Sequence, residues 1–209
     1  MIVTKNITHR YSTTGKVFSF PDIHCTTGNA VLITGPSGSG KTTLLSVVGG
    51  LLAPSEGMVI INEESLYQKT KAELDRFRGH SIGLVLQQHH FIESLSVTEN
   101  LLLAQKLGGY TSDRNWVDEL LEELGLGEKR NDFPAKLSVG EKQRLGIARA
   151  LINCPKVILA DEPTSALDDE NCRRVIQLLK KEAEIKQAAL LVVTHDNRLK
   201  QEFTNVVNL

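Results

Sequence analysis

A glycine-rich segment near the start of the chain constrains its fold more than any other feature. The segment lies between an apolar run and a helical pattern, and it consists of Gly35, Pro36, Ser37, Gly38, Ser39, Gly40, Lys41, Thr42 and Thr43. Glycine adopts backbone angles that other residues avoid, so successive amide N–H groups can converge on phosphate oxygens. The sequence therefore predicts a phosphate-binding loop between a buried strand and a helix. Lys41 would supply a positive charge and Thr42 a hydroxyl ligand for Mg²⁺.

Strand-like and helix-like patterns alternate along nearly the whole chain, which indicates an α/β fold with helices on both faces of a sheet. We predict strands over residues 2–8, 17–23, 30–34, 58–61, 82–86, 157–160 and 189–194. The last five contain continuous apolar runs, which are typical of a buried, mostly parallel sheet. The first two are more polar and alternate. We therefore expect a P-loop NTPase core with a mostly parallel sheet and an antiparallel β-subdomain at its edge.

Helical patterns replace the strand patterns in the middle of the chain. The first follows Ser96 and Glu99, which have the spacing of a capping box, and the second begins at Ser112 or Asp113. A third helical pattern follows Ser138 and Glu141, which have the same capping-box spacing. We expect residues 88–150 to form a helical subdomain that is inserted into the core of a single domain spanning all 209 residues.

The charge balance gives no basic field that would hold nucleic acid. Lys and Arg number 24, Asp and Glu number 25, and the formal net charge is −1 at pH 7, so we expect no direct nucleic-acid partner.

The apolar runs are too short to cross a bilayer. The three cysteines lack metal-ligand spacing and are expected to be reduced thiols.

Two adjacent carboxylates, Asp161 and Glu162, follow the apolar residues 157–160. This order brings them to the carboxyl edge of the sheet, where the phosphate loop also lies. Burying adjacent carboxylates costs free energy, which favours a functional role. Asp161 suits holding Mg²⁺, directly or through water, and Glu162 suits polarising the water that attacks the γ-phosphate. A pair that begins a helix or turn before Pro163 is the alternative.

Residues 137–144 separate this chain from other phosphate-loop proteins. They read Leu-Ser-Val-Gly-Glu-Lys-Gln-Arg and resemble the signature of the nucleotide-binding subunits of ATP-binding cassette (ABC) transporters. Val139 stands where that family usually has glycine, and Glu141 where it usually has glutamine. The resemblance implies that Ser138, Gly140 and Glu141 bind ATP held by a second copy. Ser138 and Glu141 also form a capping box, and the two interpretations are compatible.

The resemblance assigns four further site residues. It implies that Tyr11 stacks on the adenine ring, that Gln87 reaches Mg²⁺, that Asp168 communicates across a dimer interface and that His195 contacts the γ-phosphate. The residues themselves leave alternatives open. Tyr11 could cover an edge strand, Gln88 could take the place of Gln87, Asp168 could cap a helix, and His195 could be structural.

The activity that the resemblance implies is ATP hydrolysis. Two cassettes would form a homodimer around two ATP–Mg²⁺, with Lys41, Glu162 and His195 as catalytic residues. Only 14 residues follow His195 in the 209-residue sequence, so we expect a separate transmembrane permease as partner. The chain would then be peripheral, on the cytoplasmic face of the inner membrane.

Among ABC cassettes, the order and spacing look most like the small bacterial members that serve lipoprotein release, macrolide or peptide efflux and cell-division signalling. In those systems the segment after the glutamine receives a helix of the membrane subunit. Docking near residues 87–95 is therefore expected, with the candidates His89, His90, Phe91 and Leu95; packing within the subdomain is the alternative for Phe91 and Leu95. A soluble ABC ATPase acting on nucleic acid, ribosomes or Fe–S assembly is the alternative from another class, and an inactive cassette is a third.

Overall fold

Two β-sheets and six α-helices make up the part of the chain that the computed structural model describes, which comprises residues 1–165, 167 and 169–209. The strands are β1 (Ile2–Arg10), β2 (Val17–Ser19), β3 (His24–Cys25), β4 (Ala30–Thr34), β5 (Glu56–Ile61), β6 (Glu64–Ser65), β7 (Ile82–Val85), β8 (Val157–Asp161), β9 (Ala189–Thr194) and β10 (Val206–Asn208). The helices are α1 (Lys41–Val48), α2 (Lys71–Ser81), α3 (Val97–Leu107), α4 (Arg114–Glu123), α5 (Val139–Leu151) and α6 (Asp169–Ile185).

A parallel sheet in the order β10-β4-β9-β8-β7 forms the centre of the molecule. The strands β4, β7, β8 and β9 are mostly buried on both faces because alternate side chains enter two different apolar clusters, whereas the edge strand β10 is half-buried or exposed. In β9, Leu190 and Val192 join a cluster with α3 to α6, whereas Leu191 and Val193 join a cluster with α1 and the second sheet. The predicted parallel core is therefore confirmed for β4, β7, β8 and β9.

The second sheet is antiparallel, and β1 pairs in it with β2, β3 and β5. The prediction that residues 58–61 belong to the parallel core was wrong, because β5 pairs with β1 and β6 in this sheet. Its burial alternates rather than running continuously: Val59 and Ile61 are buried, whereas Met58 is 46 % exposed. The predicted strand over residues 17–23 is also shorter, since β2 ends at Ser19 and Pro21 has no N–H to extend the ladder.

Helices α3, α4 and α5 lie in the chain between β7 and β8, which are neighbours in the parallel sheet. Capping residues begin all three: Ser96 and Ser138 each form a capping box, and Asp113 accepts the N–H of Trp116. Of the two predicted starts for α4, the structure has Asp113. The sequence did not predict α2 or the short strands β3, β6 and β10.

Among the described residues, no helix combines the length and the apolar character that a membrane crossing requires.

Candidate functional site

The phosphate loop joins β4 to α1 through a glycine with left-handed backbone angles. Gly40 is the N-cap of α1 and has φ 101° and ψ 14°. A Cβ atom at this position would lie 2.7 Å from Cδ1 of Phe18, so a larger residue would be both strained and crowded. No described side chain caps α1. Its first N–H groups are therefore available to an anion.

Lys41 is buried at the start of α1, and its ammonium is held against the loop. Its Nζ donates to the carbonyl oxygens of Gly35 at 2.8 Å and Pro36 at 3.0 Å. This arrangement places a positive charge beside the helix N-terminus, so the two attract phosphate together.

A cavity of about 510 Å³ opens on this loop and brings the predicted segments together. It is lined by Phe18, Ser37, Gly38, Gly40, Lys41, Thr42, Thr43, Gln87, Glu162 and His195. These residues come from the phosphate loop and the start of α1, from β2, from the loop after β7 and from the ends of β8 and β9. The volume lies within the range typical of small-ligand sites, and the lining fits a nucleoside triphosphate. Of the two adjacent glutamines, Gln87 lines the cavity and Gln88 does not.

Thr42, which lines the cavity, contacts Asp161: Thr42 Oγ1 lies 3.5 Å from Asp161 Oδ1. Burial raises the pKa of Asp161, and the neighbouring Glu162 adds to the rise, whereas the Thr42 hydroxyl and Lys41 oppose it. Hydroxyl and carboxylate oxygens are the ligands that Mg²⁺ prefers. The amide oxygen of Gln87 is a third such donor, and its Nε2 donates to Ser165 Oγ at 3.3 Å.

Glu162 and His195 form a contact at the wall of the cavity. Glu162 Oε1 accepts the backbone N–H of His195 at 3.0 Å and lies 2.8 Å from its Nδ1. Glu162 Oε2 accepts the Thr194 hydroxyl at 2.8 Å. The backbone of Glu162 has φ 47°, in a left-handed region that residues other than glycine rarely occupy. A carboxylate held in this way can accept a proton from water in the cavity.

Two aromatic residues flank the cavity, and sequence reasoning identified one of them. Tyr11 is 64 % exposed, its hydroxyl lies 2.8 Å from Thr43 Oγ1, and its ring meets Phe18 edge to face at 6.2 Å. Phe18 lines the cavity, but the sequence indicated only that it belonged to an edge strand. The only sequence feature that could have pointed to Phe18 was its aromatic side chain. The alternating pattern of the predicted strand already accounted for an apolar residue at this position. The role of Tyr11 at an adenine ring stays a prediction.

The signature residues begin α5 and do not line this cavity. Ser138 caps the helix: its N–H donates to Glu141 Oε2 at 2.8 Å, and its Oγ accepts the N–H of Glu141 at 3.3 Å. Val139 is 58 % exposed. The nearest atom that a Cβ at Gly140 would meet is in the Arg144 side chain, 3.7 Å away. The predicted interface carboxylate, Asp168, lies outside the described residues.

The predicted docking segment partly packs within the chain. The His89 ring stacks on Phe91 at 5.3 Å, and the Arg149 guanidinium lies 4.9 Å from the Phe91 ring centre and donates to the backbone carbonyl oxygens of His89 and His90. Burial lowers the pKa of His89, and Arg149 adds to this. His90 is exposed and Leu95 half-buried.

Asn100 holds the rest of that segment in place and was missed from the sequence. It is buried, its Oδ1 accepts the Ile92 N–H at 2.9 Å, and its Nδ2 donates to the carbonyl oxygens of Ile92, Leu95 and Ser96 at 3.1, 3.0 and 2.9 Å. The loop of residues 92–96 therefore has a fixed shape.

The chain is similar to ABC transporter proteins both in a family model and in individual relatives. The family model for the ABC transporter matches residues 21–165. An ATP-binding protein of Staphylococcus aureus (strain Newman), HrtA, whose name links it provisionally to hemin import, is 37 % identical over 209 residues. The match covers 99 % of this chain and 94 % of HrtA.

Solved structures agree. The dimeric structure of MJ0796, a bacterial ABC transporter cassette, is 36 % identical with a TM-score of 0.87, and the match covers 100 % of this chain and 94 % of that chain. A dimeric post-hydrolysis state of MJ0796 bound to ADP and Pi matches with the same identity, coverage and TM-score. The cbiO1 protein of Clostridium perfringens, part of the cbiONQ transporter complex, is 24 % identical with a TM-score of 0.84 and shares the fold. The match covers 99 % of this chain and 83 % of cbiO1.

Proposed function

The chain belongs to the ABC transporter family and is one of its ATP-hydrolysing cassettes, and from this premise we propose that it dimerises around two ATP–Mg²⁺ and drives a separate transmembrane subunit. We further propose export, lipoprotein release or mechanical signalling as the work that this subunit does. The name of the Staphylococcus aureus relative suggests hemin transport, which would also require a separate transmembrane subunit.

One observation carries the proposal. A single cavity joins the phosphate loop, Lys41 and Gln87 to the contact between Glu162 and His195. Phosphate binding alone would need only the loop and the lysine. The addition of a carboxylate within the same cavity supports hydrolysis rather than binding.

Each residue would have a separate task. Lys41 and the first N–H groups of α1 bind the phosphates, and Glu162 accepts a proton from the attacking water while His195 orients its carboxylate. Thr42, Asp161 and Gln87 would hold Mg²⁺, which when bound supplies positive charge to the phosphate oxygens. Tyr11 would contact the adenine ring, and Asp168 would lie at the dimer interface.

The signature supports a site shared between two copies. Ser138, Gly140 and Glu141 lie at the start of α5, away from the cavity of their own chain. In a head-to-tail dimer they would complete the site of the second copy. The dimeric structure of MJ0796 supports the formation of a dimer.

We also propose where the chain binds its partner. The segment of residues 87–95 begins at Gln87, and Asn100 fixes the shape of its end through Ile92 and Leu95. A permease helix docked there would bring this single-domain cassette, with residues 88–150 as its inserted helical subdomain, to the cytoplasmic face of the cell membrane.

Substitution of the base tests the catalytic part of the proposal. Glu162→Gln keeps the size of the side chain but removes its basicity, so ATP binding should persist while turnover falls about 100-fold or more. Lys41→Ala is the matched comparison and should weaken ATP binding itself. Nucleotide affinity and steady-state hydrolysis are measured for both variants. Near-normal hydrolysis by Glu162→Gln would refute the assignment of the base.

Capture of partners tests the transport part. The Glu162→Gln protein, held with ATP, is used to pull down its partners from detergent-solubilised cells, and the co-purifying chains are identified by mass spectrometry. A stoichiometric multi-span membrane protein is expected. Ribosomal, nucleic-acid or Fe–S assembly components without a permease would instead indicate the non-transport class.

A further inference from the structure

The hydroxyl of Thr194 connects the candidate catalytic base to the turn after β9. Thr194 is the last residue of β9 and is 0 % exposed. Its Oγ1 donates to Glu162 Oε2 at 2.8 Å and accepts the N–H of Asp196 at 3.0 Å. A hydroxyl donates one hydrogen and accepts another, so both bonds are satisfied at once.

Glu162 depends on such contacts because its own backbone is strained. A residue other than glycine with φ 47° persists only where its surroundings hold it. Its N–H donates to the Val193 carbonyl oxygen at 2.9 Å, and its carboxylate accepts from Thr194 and from the His195 N–H. Three consecutive residues at the end of β9 therefore hold both the backbone and the side chain of Glu162.

The two carboxylate oxygens have partners that differ in burial. Oε1 contacts the ring of His195, whose side chain is 64 % exposed at the cavity. Oε2 contacts Thr194, which is enclosed in the sheet. The His195 ring therefore contacts the carboxylate from the exposed side, and the Thr194 hydroxyl contacts it from within the protein, where neighbouring side chains restrict it.

An ion pair between Asp196 and Arg198 stabilises the turn that Thr194 contacts. The Asp196 carboxylate accepts the backbone N–H of Arg198 at 3.0 Å and pairs with its guanidinium. Arg198 holds the pKa of Asp196 below its usual range. The same guanidinium pairs with Asp169 at the start of α6.

We propose that Thr194 is a positioning residue for Glu162. Its hydroxyl fixes one carboxylate oxygen at the cavity wall and so sets the direction in which the carboxylate faces the attacking water. The proposal rests on the proposed function, in which Glu162 accepts the proton of that water. Thr194 does not line the cavity, so this role involves no contact with the nucleotide.

Three substitutions separate positioning from general destabilisation. Thr194→Val removes the hydroxyl but keeps the shape, and Thr194→Ser keeps the hydroxyl. Thr4→Val is a matched control, because Thr4 is also buried and its Oγ1 accepts the Ile23 N–H at 2.8 Å in the antiparallel sheet. Each variant is assayed for kcat, KM for ATP, ATP affinity and Tm.

We expect Thr194→Val to lower kcat about 10- to 100-fold, as for a catalytic group displaced by about 1 Å. Its KM for ATP and its ATP affinity should stay close to those of the wild type. Thr194→Ser should recover most of the lost rate. Thr4→Val should lower Tm without a comparable loss of kcat. If Thr194→Val does not fold, comparing Thr194→Ala with Thr194→Ser gives the same test.

A wild-type kcat for Thr194→Val would overturn the proposal, as would an equal loss of kcat in Thr4→Val. A further check uses the Glu162→Gln background, in which Thr194→Val should cause no additional loss in single-turnover hydrolysis. Glu162→Gln also separates the two proposals. If Glu162→Gln is inactive while Thr194→Val is fully active, the positioning role of Thr194 is refuted and the proposed base stands. If Glu162→Gln is active, the proposed base itself is refuted.

Discussion

At the scale of single residues, Asp161 is a carboxylate whose ionised form is disfavoured by its surroundings in the fold. Burial and the adjacent Glu162 raise its pKa above the ordinary value. The folded state therefore binds this proton more tightly than the unfolded state does, so ionisation at neutral pH lowers the free energy of unfolding. This cost begins to shrink as the pH falls through the folded-state pKa and is absent below the unfolded-state pKa. The proposed role of Asp161 in holding Mg²⁺ would account for a carboxylate that lowers stability.

Asp161→Asn should therefore stabilise the protein and inactivate it. We expect the nucleotide-free variant to melt above the wild type at pH 7, because the amide at this position carries no charge that the fold must accommodate. The difference should shrink as the pH is lowered through the Asp161 pKa. Thermal melts across pH, with and without ATP and Mg²⁺, measure this. A nucleotide-free melting temperature below that of the wild type would contradict the argument.

At the scale of elements, two helices with the same cap allow structure and function to be separated. Ser96 begins α3 and Ser138 begins α5, and each forms a capping box with a glutamate three residues later. Replacing either serine by alanine should cost about 1 kcal/mol of folding free energy. Ser138→Ala should in addition lower ATP hydrolysis, because only Ser138 is proposed to contact the nucleotide of a second copy. Equal hydrolysis by the two variants would leave Ser138 as a cap alone.

The same elements show what sequence reasoning can reach. The caps at Ser96 and Ser138 were predictable because they depend on residues three positions apart. The assignment of residues 58–61 failed because an apolar run does not reveal which strand it pairs with, and β5 pairs with β1. The role of Thr194 was also hidden. It depends on the pairing of β8 with β9, which brings together two residues that are 32 positions apart.

At the scale of the whole molecule, a shared site predicts complementation between two inactive variants. Lys41→Ala damages the site of its own chain, and Ser138→Ala damages the site of its partner. A mixed dimer would contain one site in which both parts are intact. Half of the dimers in an equal mixture are mixed, so up to about a quarter of the wild-type rate should return.

The assay measures ATP hydrolysis of each variant alone and of the mixture at the same total concentration. Mixing Lys41→Ala with Glu162→Gln serves as the control. Both substitutions act in the chain that carries them, so no mixed dimer has an intact site. No recovery with Ser138→Ala would contradict the shared site.

The order of strands in the parallel sheet also bears on how the chain is synthesised. The strand that leads into the phosphate loop, β4, pairs with β9 and β10, whose residues are translated more than 150 positions later. A nascent chain therefore carries β4 with both edges unpaired during most of its time on the ribosome, when an apolar strand is prone to aggregate. Chaperone demand should consequently be greatest just before residues 189–208 emerge, and ATP can bind productively only afterwards.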